Sequence, residues 1–162
     1  MLRILAIVIC AALSACANSA EKMGQDAPGA EGPRGWFNTE STGETRATWR
    51  AGPNAVEFSL ICTQADKMLI VHAEAPAQRI TQNLGMIMIG VSGFSAEVTA
   101  VPDSLQIQLA TGVTSTLLKA LAAEKTARIV IGDDFTATEP DDTNALARLS
   151  RSCAALTGVK LN

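Results

Sequence analysis

The chain has no tyrosine, a single histidine, only 4% aromatic residues and no excess of basic charge. With 13 Lys and Arg against 16 Asp and Glu, a formal charge of −3 and a pI near 5.1, it offers no positive footprint for a phosphate backbone. That excludes nucleic acid as a partner. One histidine and two distant cysteines of the folded part supply too few ligands for a zinc centre, so no metal and no cofactor are expected. Glycine-rich phosphate loops and paired basic or aromatic stretches are missing. No internal repeat recurs at periods of roughly 20 to 50 residues, which excludes solenoids and propellers. What is there suits one domain with room for a tail: 162 residues, 48% of them hydrophobic and 18% charged, too apolar for disorder over the whole length.

The chain opens on an address. Met1-Leu2-Arg3 is a short basic start, Ile4 to Ala12 is an unbroken apolar run, and Ser14 and Ala15 are small, which are the three regions of a secretory signal peptide. From Ile4 to Ala17 the apolar stretch is fourteen residues, short of the roughly 18 that a membrane-crossing helix needs. Within it, Leu13-Ser14-Ala15-Cys16 resembles the lipobox of bacterial lipoproteins. The resemblance implies a diacylglyceryl thioether on Cys16, cleavage just before it and acylation of the new N-terminus. Cys10 does not fit the same pattern, because Ile9 is too large for the position before the cleaved bond. The competing reading is an ordinary signal peptide cut after Ala15 or Ala17. Several acyl chains, each buried methylene worth about 0.8 kcal/mol, hold a protein stably on a membrane. Ala17 stands where the class often uses Asp for inner-membrane retention, so in a cell with two membranes the expected place is the outer one, facing the periplasm.

Residues 16–35 mix Gly, Pro, Ala and charge without an apolar period and read as a lipidated, flexible tether. Removal of residues 1–15 takes away Arg3 alone among the charges, leaving 12 basic and 16 acidic residues, net −4. Residues 36–162 read as a single β-rich globular domain.

In that domain the hydrophobic period is two. Val56, Phe58, Leu60 and Cys62 alternate with Glu57, Ser59 and Thr63, a strand with one buried face that includes Cys62. Thr45 to Ala51 and Met68 to Ala75 flank it across turn clusters. Gly85 to Val91 is apolar on both faces, as a strand covered on both sides would be, and Ser92-Gly93 reads as the hairpin turn into Phe94 to Val101. Leu105 to Leu109 and Arg128 to Ile131 bring the expectation to about seven strands. The fold class is α+β, mainly β: an antiparallel sandwich or barrel-like sheet with one crossing helix and one C-terminal helix. The crossing helix is read over Thr114 to Lys125. The terminal one is read over Asp141 to Leu156, with Leu146, Leu149, Cys153 and Leu156 on one stripe and Gly158 as its stop.

With Cys10 leaving in the signal and Cys16 taking the lipid, Cys62 and Cys153 remain in an oxidising compartment, both on inward faces. A disulfide between them is expected, with two separate buried thiols as the alternative. Its rupture is expected to loosen the terminal helix first, on the view that this helix has few other obligatory partners.

Catalytic arrangements are thin. His72 and Glu74 share one strand face, which could orient an imidazole, although a solvent-facing pair reads the same way. Gly90-Val91-Ser92-Gly93-Phe94 lacks the second glycine of a nucleophile elbow at its required place and fits a hairpin. The acidic residues Asp133, Asp134, Glu139, Asp141 and Asp142 do not match the alternating ligands of a Ca²⁺ loop and read as a solvated loop ending in a helix cap.

The strand Phe58-Ser59-Leu60-Ile61-Cys62 and the helix from Leu146 to Cys153 resemble small uncharacterised proteobacterial lipoproteins, which supports the architecture alone. A second likeness, to periplasmic lysozyme-inhibitor lipoproteins, rests on a small disulfide-stabilised β domain and on Ser92-Gly93 in a hairpin. The chain departs from them in lacking the tyrosine after that dipeptide and in adding a terminal helix. Three functions fit: a tethered, non-catalytic binding or inhibitory module with a protein partner, a structural accessory subunit of an envelope assembly, and a hydrolase using His72. An exposed apolar patch would mark the second, with Trp36, Phe37 and Trp49 as sequence candidates.

Overall fold

A computed structural model describes residues 34–52, 58–74, 82–101 and 106–161. Their elements, in chain order, are β1 Gly35–Ser41, β2 Glu44–Arg50, β3 Phe58–Thr63, β4 Met68–Glu74, β5 Leu84–Ile89, β6 Ser92–Ala100, β7 Gln106–Gly112, α1 Ser115–Ala123, β8 Ala127–Ile131, β9 Asp134–Ala137 and α2 Ala145–Thr157. The strands form one sheet in the order β1-β2-β3-β4-β7-β6-β5-β8-β9, and its ladders are antiparallel. The fold is α+β and mainly β, a single curled sheet and not a two-sheet sandwich. Curling brings the chain just after β9 to the start of β1. There the Trp36 indole Nε1 donates to the Glu139 carbonyl at 3.1 Å, and Arg34 pairs with the Glu139 carboxylate.

The described strands number nine where about seven are expected, the additions being β1 and β9. Alternation is hidden in β1 because two of its three inward positions are polar. Asn38 donates to the Ala145 carbonyl at 3.0 Å and accepts from Arg148 Nε at 2.9 Å, and Glu40 accepts from Ser152 Oγ at 2.5 Å. These are bonds to or beside α2, so Asn38, half-buried, and Glu40, exposed, both turn toward the helix for a reason that only the tertiary structure supplies. β9 has four residues, none of them buried, which leaves no period to read.

Two further expectations need correction. β5 is not covered on both faces: Gly85, Ile87 and Ile89 point inward, whereas Leu84 and Met86 point out and are 67% and 41% exposed. The hairpin turn is Gly90-Val91, not Ser92-Gly93, because Ile89 pairs with Ser92. Gly90 has φ +58°, the first loop position of a two-residue turn that only glycine takes without strain.

α1 and α2 fill the concave face. Thr114 caps α1, its side chain accepting from Leu117 N at 3.2 Å, and Leu117, Leu118 and Leu121 are buried beneath. Burying a leucine contributes about 2 kcal/mol before the entropic cost of ordering it. α2 starts four residues later than expected, at Ala145. Asp141 still serves its end from outside: Oδ2 accepts from Leu146 N at 2.7 Å, and Oδ1 from the Thr143 amide and hydroxyl at 2.9 and 2.8 Å. Asn144, at φ 59°, makes the left-handed step that lets the carboxylate reach. Gly158, at φ 73°, closes the helix as expected, donating to the Ala154 carbonyl.

Burial alone would raise the Asp141 carboxyl, but bonds from the Leu146, Ala145 and Thr143 amides and the Thr143 hydroxyl outweigh it and hold the group below its ordinary 3.8. A depressed folded value contributes stability above pH 3.8 that is lost as the pH falls through the folded value. Asp141→Asn is expected to cost about 2 kcal/mol at neutral pH, the scale of a charge-assisted bond to a buried end. It should also flatten the acid limb below pH 4 in urea midpoints measured against pH; an unchanged limb contradicts the capping role.

Candidate functional site

Cys62 and Cys153 are disulfide-bonded, with Cα atoms 5.7 Å apart and a sequence separation of 91. Both are fully buried. The bridge joins the inner face of β3 to the apolar stripe of α2, as the two phases imply. The helix is held by much else: Ser150 Oγ donates to the Leu118 carbonyl at 2.7 Å, Asn38, Glu40 and Arg148 make the bonds to β1 described above, and Leu146 and Leu149 are fully buried. The expectation that α2 has few other obligatory partners is therefore corrected.

His72 is half-buried on the convex face. Its Nε2 lies 3.3 Å from Gln108 Oε1 on the neighbouring strand. Ser59 is its cross-strand partner on the other side, but the Ser59 hydroxyl is paired with Thr48 Oγ1 at 3.0 Å. Glu74 shares the face of His72, and among the described residues no hydrogen bond or ion pair joins the two. The elements of a nucleophile, base and orienter are neighbours here without being linked. His72→Ala is expected to leave folding and partner capture unchanged within twofold, read by a thermal melt and a binding isotherm. A folded variant that loses function outright would promote the hydrolase reading.

The acidic residues of the sequence reading are dispersed. Asp133 lies in the β8–β9 turn, Glu139 is committed to Arg34, and Asp141 is buried and spent on α2. The aromatic candidates for a surface patch are placed elsewhere too. Trp36 is 5% exposed and in the core, Trp49 packs against it, and the Phe37 ring lies under the Arg50 guanidinium at 5.9 Å.

Two surface features were missed. A cavity of about 350 Å³ lies where the β1–β2 hairpin meets the last turns of α2, lined by Glu40, Ser41, Glu44, Ser152 and Leu156 among others. Glu44 leans on Arg46 at 3.1 Å, and Glu40 accepts from Ser152, so the groove carries two carboxylates against one guanidinium. No sequence signal brings β1 to α2, since β1 itself is hidden. The second feature is apolar: Leu84, Met86 and Phe135, the last 66% exposed, stand on the convex face of β5, β8 and β9. Its signal in the sequence is the two-sided apolarity of β5, which a strand covered on both faces would show equally. Cys10 and Cys16 lie outside the described residues. Among the described residues, no helix is long and apolar enough to cross a membrane. No protein-family model, no curated protein and no solved structure matches the chain.

Proposed function

We propose that the protein is a membrane-anchored envelope lipoprotein, held through Cys16, that acts as a non-catalytic binding or inhibitory module for a cationic protein partner. The observation that carries this reading is the groove between the β1–β2 hairpin and α2, a concave opening with two carboxylates on a chain of net charge −3. With Arg46 offsetting Glu44 the rim keeps a net negative charge, and a net charge at a concave rim steers an oppositely charged partner and fixes its register. The disulfide and the bonds from Asn38 and Glu40 make the two walls of the groove one rigid unit, which lowers the ordering cost of binding. His72 supports the non-catalytic side, since its bonded partner is an amide.

Capture from detergent-solubilised envelope tests the proposal. The wild-type protein should retain a basic protein at low salt and release it as salt screens the contact. Glu40→Gln with Glu44→Gln should weaken retention by about tenfold, the effect of roughly 1.4 kcal/mol. Capture that is indifferent to both carboxylates and to salt contradicts it. Capture that depends on neither but is lost with the apolar convex face would favour the structural accessory subunit.

A further inference from the structure

We infer that the convex apolar patch of β5, β8 and β9 is the face on which the anchored domain rests against the bilayer, its occupant being the lipid surface itself. This rests on the lipid anchor at Cys16 proposed above. Register places the patch in one row: Met86 is opposite Val130, and Val130 is opposite Phe135, all on the same face, with Leu84 two residues from Met86. Leu84, Met86 and Phe135 are 67%, 41% and 66% exposed. Gly93 lies beside them without a side chain, and a Cβ there would stand 2.6 and 3.0 Å from the Met86 and Met88 sulfurs. Both thioethers thus lie over the glycine and broaden the apolar surface.

The point where the chain leaves the described domain selects lipid as the occupant. Arg34 is paired with Glu139, two residues beyond the last residue of β9 and four from Phe135. The tether therefore departs from the end of the strand that carries the patch. Arg34 lies 18 positions beyond Cys16, and a Gly- and Pro-containing chain of that length reaches roughly 23 Å when it behaves as a random coil. At that distance the domain sees the membrane at a local concentration on the order of millimolar, so a weak apolar contact is populated without new affinity. Size points the same way. Three exposed side chains offer on the order of 300 Å², well below the about 800 Å² per partner that a stable protein interface needs, whereas a lipid surface needs no matching shape.

Charge sets the lipid preference. Arg128 is exposed on the same face opposite Met88, in reach of a headgroup phosphate, while Glu97 stands exposed opposite Leu84. With the mature chain acidic overall, contact should be stronger on zwitterionic than on anionic lipid.

The test uses the lipidated full-length protein reconstituted into phosphatidylcholine vesicles brominated in the acyl chains. Phe135→Trp should place an indole at the headgroup–acyl boundary, and its added emission should fall roughly twofold. Asp66→Trp, on the exposed β3–β4 turn, should not be quenched. Leu84→Gln in the Phe135→Trp background should relieve the quenching; both sites are exposed, so folding is retained. Flotation of the vesicles reads the anchor separately. Protein that floats with an unquenched indole at 135 overturns the inference and leaves the lipoprotein reading standing. Protein that does not float overturns both. An indole shielded from bromine but cross-linking to a second copy or to another protein assigns the patch to that partner and overturns the lipid assignment.

Discussion

Replacing Cys62 and Cys153 together by alanine should lower the stability of the domain by about 4.6 kcal/mol. That is the chain-entropy contribution of closing a loop of this length at 25 °C, for a bridge with a sequence separation of 91. For a domain of this size the loss corresponds to a fall in the melting temperature of roughly 15 °C. The double variant is the right one, since a single replacement leaves a buried thiol free to pair elsewhere. The order of events follows from the contacts. α2 is fastened by Ser150 to α1, by Asn38, Glu40 and Arg148 to β1, and by Asp141 at its own start. Removing the bridge should therefore not release α2 alone. Hydrogen exchange should show the amides of α2 and β3 losing protection together. A change in melting temperature of only a degree or two contradicts the proposed role of the bridge, and early loss of protection confined to α2 contradicts the account of the helix's other fastenings.

Cys16→Ser should move the protein from the membrane to the soluble fraction. A serine oxygen does not accept the diacylglyceryl group in the lipoprotein reading, so the precursor is not processed by that route and no acyl chains are added. Without several chains, anchoring that is effectively permanent becomes marginal or absent. Metabolic labelling with palmitate checks it. Label on the wild-type protein and none on Cys16→Ser is expected. Label retained on the variant removes the assignment of Cys16, and retention of unlabelled Cys16→Ser on the membrane points to the uncleaved leader if the chain still begins at Met1 and to the convex patch if it does not.

Much of the interior was legible because burial on one face writes a period into the chain. β3 shows it plainly: Phe58, Leu60 and Cys62 face in. The phase that puts Cys62 inside, with the stripe that carries Cys153, is sufficient to pair them. β1 was not legible because Asn38 and Glu40 turn toward α2, and a polar residue satisfied by a partner more than 100 positions away leaves no local mark. Asp141 was placed at the start of α2 by its residue type, while its actual position, three residues upstream of Asn144, depends on a left-handed step that sequence does not announce. β5 shows the reverse failure. Apolar residues on both faces are what a covered strand shows, and equally what a strand shows when its outer face is kept for contact. The groove at Glu40 and Glu44 inherits the invisibility of β1.

The mass of the intact protein extracted from membranes tests the central claim most directly. The lipoprotein reading predicts a chain that begins at Cys16 and carries a diacylglyceryl group on its sulfur and an acyl group on its new N-terminus, with the Cys62–Cys153 bridge accounting for the absence of free thiols. A chain that begins at Met1, at Asn18 after cleavage behind Ala17, or at an unmodified Cys16 would contradict it.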